Sequence, residues 1–171
     1  MLILFNRHYV LVRLALAVLL TAWSGTAAAG IKPGDALPDL ATFGLEGKLP
    51  ASLQNKVVLL DFWASWCDPC KESFPVMEEL QKRYGPEGFI VIAVNVDEKR
   101  ADMEAFLKRT PATILVLRDA KQKLVDKADI GTMPSSFLVD RTGKVRYIHS
   151  GFKGAETKQK YAEEIETLLK R

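Results

Sequence analysis

Two nearly continuous apolar runs dominate the hydrophobic pattern of the chain, residues 57–63 (VVLLDFW) and residues 89–96 (FIVIAVNV). Runs of this length are typical of strands covered on both faces, as in a parallel sheet with crossover helices. Between the runs, apolar residues recur at helical spacing from Cys70 to Tyr84, and charged residues occupy the opposite face. Strand, helix and strand over about forty residues predict a right-handed βαβ unit.

The pattern after this unit predicts a shorter helix and strand, followed by an antiparallel pair of strands. Residues 101–109 form the second helical pattern, and residues 114–117 form the next apolar run. Residues 136–140 and 144–148 read as strands, and the turn formers Arg141-Thr142-Gly143 lie between them, which predicts an antiparallel β-hairpin.

The two ends of this globular part carry the remaining elements. Residues 31–38 are rich in turn formers and predict an entry arm, and residues 39–49 predict a small β-hairpin. The chain closes with a helix whose apolar face carries Tyr161, Ile165, Leu168 and Leu169. The sum is an α/β domain with a mixed central sheet, helices on both faces and an N-terminal β-hairpin extension.

Residues 1–29 predict a secretory signal peptide. Arg7 and Arg13 supply positive charge, residues 14–23 are mostly apolar, and Ala27-Ala28-Ala29 offers an A-x-A cleavage site. The apolar stretch is shorter than the about 20 residues of a spanning helix, which favours cleavage over an uncleaved membrane anchor. We therefore expect an exported, periplasmic protein that contacts the membrane only if this segment is retained.

Residues 30–171 contain no internal repeat or low-complexity tract and predict one domain. The whole chain has 24 Lys and Arg against 21 Asp and Glu, but two of the basic residues, Arg7 and Arg13, belong to the leader. The remainder has a net charge of +1. A nearly neutral domain argues against a nucleic-acid partner, because such a surface needs a concentrated basic patch.

The two cysteines of the chain stand together in Cys67-Asp68-Pro69-Cys70, where the first apolar run passes into its helix. Pro69 suits the first helical turn, which leaves backbone N–H groups unpaired. Those groups and the helix dipole favour the thiolate of Cys67, the nucleophilic form. Cys70, one turn further in, is expected to be more buried and to act as the resolving thiol. The pair predicts reversible dithiol–disulfide exchange.

Three other interpretations of the cysteine pair are weaker. A zinc half-site needs two more ligands, yet His149 is the one histidine outside the leader. A purely structural disulfide gains little chain entropy when it closes so short a loop. A single peroxidatic cysteine would not need the second thiol. We therefore expect no metal and no separate cofactor, the redox group being the Cys67–Cys70 disulfide itself.

Two segments carry a resemblance to a known family. VVLLDFWASWCDPCK resembles the active-site strand and helix start of thioredoxins, and the continuation FPVMEEL resembles the exported TlpA/ResA-like branch, to which cytochrome c maturation reductases belong. IGTMPSSFLVDRTGKV resembles the second thioredoxin hallmark, in which a cis-proline precedes a strand. The resemblance covers residues 35–169 and implies a thioredoxin fold.

The resemblance implies a role for each matching residue. Cys67 is the attacking thiol and Cys70 the resolving one. Pro134 is the cis-proline facing the disulfide, and the backbone of Met133 offers a hydrogen-bonding edge to an incoming chain. Asp61 matches the buried acid that exchanges a proton with the resolving thiol, and burial is expected to raise its pKa toward neutrality.

Trp66, which precedes the cysteine pair, is expected to shield the thiols and to contact the substrate, although it could also be a simple core aromatic residue. Other positions depart from the family pattern. Ala93 stands where thioredoxins often place a lysine beside the buried acid, so we expect stronger desolvation of Asp61. Ser73 stands where ResA-like proteins carry a functional glutamate, with Glu72 one position away. Asp68 adds negative charge beside Cys67, which destabilises the thiolate and favours a reducing couple.

The hypothesis is an exported thiol:disulfide oxidoreductase that reduces the disulfides of client proteins. The resemblance implies that these clients include proteins of cytochrome c maturation. The resemblance implies re-reduction by a membrane electron donor of the DsbD/CcdA type. Two alternatives stay open at this point. The same scaffold could act as a disulfide oxidant or isomerase, or Cys67 and Cys70 could hold Cu(I) with Met133 as a third ligand, since soft thiolates select that ion.

Overall fold

The computed structural model describes residues 30–170, so the predicted signal peptide lies outside the described residues. Five strands form one sheet: β1 (Val57–Trp63), β2 (Phe89–Asn95), β3 (Leu115–Arg118), β4 (Ser135–Val139) and β5 (Val145–Ser150). Four α-helices accompany them: α1 (Asp68–Tyr84), α2 (Arg100–Arg109), α3 (Lys123–Ala128) and α4 (Ala155–Leu169). Within residues 30–170, no helix has both the length and the apolar character needed to cross a membrane.

The sheet has the strand order β3-β2-β1-β4-β5. β1 pairs in parallel with β2, and β2 in parallel with β3, while β4 runs antiparallel to both β1 and β5. All seven residues of the central strand β1 are buried, which explains its continuous apolar run. The predicted βαβ unit, the antiparallel hairpin and the mixed α/β sheet flanked by helices are confirmed.

One register position runs across four strands and becomes important for the site. Asp61 on β1 lies opposite Ala93 on β2 and opposite Ser136 on β4. Ser136 in turn lies opposite His149 on β5. Residues directly opposite one another point to the same face of a sheet, so these four side chains form one transverse row.

Helix α1 buries the predicted stripe and exposes its charged face. Its buried residues include Cys70, Phe74, Met77 and Leu80, spaced three or four positions apart. Beneath them, the Phe74 ring packs edge-on against Trp63 of β1, with 4.6 Å between the ring centroids. This packing fixes the N-terminal turn of α1 at the carboxyl end of β1.

The predicted N-terminal β-hairpin is wrong. Leu40–Phe43 form a 3₁₀ helix, because the Asp39 carboxylate accepts a backbone N–H two residues on and Gly44 adopts the left-handed conformation (φ 66°) that ends the turn. The chain beyond pairs with the distant edge of the sheet instead of with itself. Glu46 forms an isolated antiparallel bridge with Arg118, and their side chains form an ion pair at 2.9 Å.

Helix α3 was not predicted from the sequence. It is six residues long, and so short a segment shows too few turns for a periodic pattern to stand out. Its start is specified by the buried carboxylate of Asp119, which accepts backbone N–H groups of Lys123, Leu124 and Val125 at 2.8–3.1 Å. The helix leads into residues 130–133, which border the site described next.

Candidate active site

The two cysteines form a disulfide at the N-terminus of α1. Their Cα atoms are 5.3 Å apart. Cys67 is the N-cap residue, and its Sγ accepts a hydrogen bond from the backbone N–H of Cys70 at 3.2 Å. Cys67 is 5% exposed and Cys70 is fully buried. The predicted order of burial is confirmed, and the sulfur nearer to solvent is the one that accepts a helix N–H.

A buried carboxylate holds the loop that delivers Cys67. Asp97, just beyond β2, accepts the backbone N–H of Ser65 at 3.1 Å and its hydroxyl at 3.2 Å. Asn95 fixes the carboxylate from the other side through its amide nitrogen at 2.8 Å. Because β1 and β2 are parallel, their carboxyl ends meet at one edge of the sheet, and Asp97 can brace the loop after β1 from there.

Met133, the residue before Pro134, faces the N-terminus of the cysteine helix across a groove. The Met133–Pro134 peptide bond is cis, as the resemblance implies. Residues 66–69 and residues 130–133 line a cavity of ≈ 520 Å³. Trp66 stands at its rim, 68% exposed, the one large apolar side chain so exposed among residues 30–170. The structure therefore brings Trp66, Cys67, Asp68, Pro69 and Met133 together around one groove.

Asp61 lies inside the sheet rather than at an exposed strand end. It is 1% exposed, and this burial raises the pKa of its carboxyl from 3.8 to about 7, against the opposing effect of a hydrogen bond from Ser136. Its Oδ1 accepts the Ser136 hydroxyl at 2.5 Å, while Oδ2 has no hydrogen-bond partner among the described residues. The expected burial and the raised pKa are confirmed, and Ala93 supplies no cation beside the carboxyl.

The positions after Cys70 do not reproduce a buried carboxylate. Ser73 is buried, and its hydroxyl donates to the backbone carbonyl of Cys70 at 2.9 Å. Glu72 is exposed. Asp68 is also exposed and forms an ion pair with Lys71 at 2.6 Å, which lowers the pKa of Asp68 and offsets its charge beside Cys67. Neither Glu72 nor Asp68 therefore places a buried carboxylate beside the cysteines.

The comparison with known families agrees with this geometry. The sequence profile described as Redoxin matches residues 32–165, most of the chain. The chain belongs to the redoxin family. The match spans every strand of the sheet, α1 with its cysteine pair, and the loop that carries Pro134.

Curated relatives of this redoxin specify its chemistry. Thiol-disulfide oxidoreductase ResA of Geobacillus thermodenitrificans is 33% identical over 134 residues, covering 77% of each chain. ResA of Bacillus subtilis is 31% identical over 152 residues, covering 86% of this chain and 85% of that one. The resemblance to ResA-like proteins is confirmed, and this redoxin is a thiol-disulfide oxidoreductase whose clients carry disulfides.

A solved structure shows the same fold. A candidate thiol:disulfide interchange protein DsbE from Chlorobium tepidum superposes with a TM-score of 0.75 and 40% sequence identity. The match covers 82% of this redoxin and 99% of that chain. The predicted thioredoxin-like fold is therefore confirmed.

Three residues of the redoxin site had no predicted role. Asp97 follows the strand beside β1, and the shared edge of parallel strands is the signal that could have placed it near Ser65. Ser136 contacts Asp61 through a register between β1 and β4 that no local pattern encodes, and Tyr161 of α4 contacts Ser136. The sequence placed Tyr161 on the core face of the last helix, which is confirmed, but it did not predict what the hydroxyl contacts.

Proposed function

We propose that this redoxin reduces the disulfides of exported client proteins. The thiolate of Cys67 attacks one client sulfur, so a Cys67–client bond forms while the other client sulfur leaves and takes up a proton. The thiolate of Cys70 then attacks Cys67 Sγ, which releases the second client sulfur as a thiol and forms the Cys67–Cys70 disulfide. Two electrons and two protons pass from the dithiol to the client.

The observation that carries this proposal is the placement of the disulfide. Cys67 caps α1 and receives a helix N–H, so the thiolate released on reduction lies where a negative charge is stabilised. Cys70 lies one turn deeper and fully buried. Attack from outside therefore begins at Cys67, and the second step occurs within the protein.

Asp61 is the proposed proton acceptor for the Cys70 thiol. A pKa of about 7 leaves both protonation states populated at neutral pH, which a group needs if it is to accept and return a proton. The unpartnered Oδ2 supports this role, because that oxygen is free to take the proton without breaking an existing hydrogen bond.

The groove between Trp66 and Met133 is the proposed binding site for the client chain. Trp66 offers an exposed aromatic face beside the disulfide. The Met133 backbone forms no backbone hydrogen bond within residues 30–170, so its polar groups can pair with an extended client segment. Side-chain contacts in the ≈ 520 Å³ cavity would then add specificity.

The leader at residues 1–29 supports export to the periplasm, an oxidising compartment that supplies no reductant. The oxidised protein must therefore regain its electrons from a membrane donor, proposed to be of the DsbD/CcdA type. The likeness to the TlpA/ResA-like branch supports cysteines of cytochrome c maturation as clients.

The direction of transfer predicts a reduction potential nearer to about −270 mV than to about −120 mV, the values of thioredoxin and DsbA. Equilibration in glutathione or dithiothreitol buffers, followed by alkylation of free thiols and mass measurement, gives this potential. A value at the oxidising end would favour the oxidant or isomerase alternative. Cu(I) titration of the reduced protein tests the remaining alternative, in which Cys67 and Cys70 hold Cu(I). That alternative requires that the protein bind Cu(I) tightly and fail to reduce client disulfides.

Asp68→Asn should make the couple slightly more oxidising. Removing a negative charge beside Cys67 stabilises the thiolate and hence the reduced form, but Lys71 already offsets that charge. The potential should rise by no more than about 30 mV, which is tenfold in the exchange equilibrium. Glu72→Gln is the matched control, with the same change in net charge further along α1, and should have a smaller effect. A fall in the potential of Asp68→Asn would contradict the prediction.

A further inference from the structure

Two hydroxyl groups, linked by hydrogen bonds, form a chain that ends at the carboxylate of Asp61. The Ser136 hydroxyl is 2.5 Å from Asp61 Oδ1 and 2.7 Å from the Tyr161 hydroxyl. All three side chains are no more than 1% exposed, so bulk water does not solvate the chain. Ser136 comes from β4 and Tyr161 from α4, and each is held by an element that packs against β1.

The hydrogen-bond directions follow from counting protons. Ser136 has one hydroxyl proton, and it is donated to Asp61. The contact between the two hydroxyls then requires Tyr161 to donate to Ser136. Burial and the charge of Asp61 raise the pKa of Tyr161, so the phenol keeps its proton for this bond. Both dipoles therefore point their positive ends toward the carboxylate, which favours its ionised form.

No other neighbouring group among the described residues forms a hydrogen bond with the Asp61 carboxylate, so the two hydroxyl groups are its main polar support. Ala93 occupies the neighbouring strand position and carries no charge. On the far side, the His149 ring packs edge-on against Tyr161 with centroids 4.9 Å apart, and it bonds Glu164 at 2.6 Å. Cys67 and Cys70, on the helix over this end of the sheet, are uncharged in the disulfide. No lysine or arginine bonds to Asp61 among the described residues.

We propose that Ser136 and Tyr161 are positioning residues that keep Asp61 ionisable at neutral pH, the buried hydroxyl chain supplying the stabilisation that no nearby cation provides. The catalytic significance of this inference rests on the proposed function, in which Asp61 accepts the proton of the Cys70 thiol. Without the chain, burial alone acts on the carboxyl. The acid would then remain protonated at neutral pH and could not take the proton of Cys70.

The test is a direct titration of Asp61 in the oxidised full-length protein, by ¹³C NMR of labelled aspartate carboxyls. Ser136→Ala should raise the pKa of Asp61 by about one unit or more, the usual effect of losing a hydrogen bond to a charge. Tyr161→Phe should raise it by less, since it removes only the outer hydroxyl. Ser136→Thr keeps a hydroxyl and should restore most of the original value.

Ser135→Ala is the matched control. Ser135 is the neighbouring buried serine on β4, faces away from Asp61 and donates to the Thr132 carbonyl at 2.7 Å. This substitution should leave the pKa of Asp61 unchanged. An unchanged or lowered pKa in both Ser136→Ala and Tyr161→Phe would overturn the proposal, as would an equal rise in Ser135→Ala.

The rate of the resolving step separates this proposal from the role of Asp61 itself. In Ser136→Ala the alkaline rise of that rate should move to higher pH together with the pKa of Asp61. If Asp61→Asn leaves the pH profile unchanged while Ser136→Ala still moves the pKa, the hydroxyl chain tunes Asp61 as proposed, and Asp61 is not the proton acceptor.

Discussion

A Cys70→Ser variant should accumulate as a mixed disulfide with its client and should reduce no more than one client disulfide per protein molecule. Cys67 retains its position as the N-cap of α1, where its Sγ accepts the N–H of residue 70, a backbone group that serine preserves. The first attack therefore still occurs. The serine hydroxyl is a far weaker nucleophile than a thiolate and cannot displace the client from Cys67 Sγ.

The trapped species can be resolved on non-reducing gels and identified by mass spectrometry after purification of the variant from the cells that express it. Cys67→Ser is the paired control and should trap almost nothing, because its remaining thiol at Cys70 is fully buried. Equal yields of adducts from the two variants would show that clients reach Cys70 directly, and the assigned order of attack would be wrong. The identity of the trapped proteins tests cytochrome c maturation as the process served.

The parts of this structure that the sequence predicted well are the parts that one local pattern specifies. The run VVLLDFW is buried on both faces because β1 is the central strand, and the cysteine pair takes its geometry from the first turn of the helix that follows. Asp61 could be predicted as buried because it lies within that run and, six residues before Cys67, matches the buried acid that the resemblance to thioredoxins implies.

The parts that could not be predicted depend on contacts between distant segments. The segment after Gly44 pairs with Arg118 rather than with its own neighbours, so the apparent hairpin does not form. The contact between Ser136 and Asp61 requires a particular register between β4 and β1, and a slip of one residue would turn Ser136 to the other face of the sheet. Such a register is set by the whole sheet and leaves no periodic signal.

Asp61→Asn should slow the resolving step and remove its dependence on pH near neutrality. An amide cannot accept the proton of Cys70, and loss of a general base costs typically about 10²–10⁴-fold in rate. Stopped-flow measurement of the second client thiol released, across a range of pH, checks this. The wild-type profile should rise through the pKa of Asp61 at about 7, and the profile of the variant should lack that rise. An identical profile in both proteins would remove Asp61 from the mechanism.

The same substitution should stabilise the fold at neutral and alkaline pH. The pKa of Asp61 is 3.8 when exposed and about 7 in the native state, so between these values the native state holds a proton that the unfolded state has lost. The free energy of unfolding therefore falls as pH rises through this window, and the loss is complete above the native pKa. The difference corresponds to about 4 kcal/mol.

Asparagine does not titrate, so the free energy of unfolding of the variant lacks this dependence on pH. The excess of the variant's free energy of unfolding over that of the wild type should be smallest below the pKa of Asp61 in the unfolded state. It should then grow by an amount on the order of 4 kcal/mol up to about pH 8. Denaturant unfolding of both oxidised proteins across this range measures the difference, in which other titrating groups cancel. Asp140 is one such group, since its hydrogen bonds hold the pKa at about 2 and its contribution is lost only in acid. A constant difference between variant and wild type would mean that the pKa of Asp61 is the same in the folded and unfolded states. A carboxylate with so low a pKa would be too weak a base to take the proton of Cys70 efficiently at neutral pH.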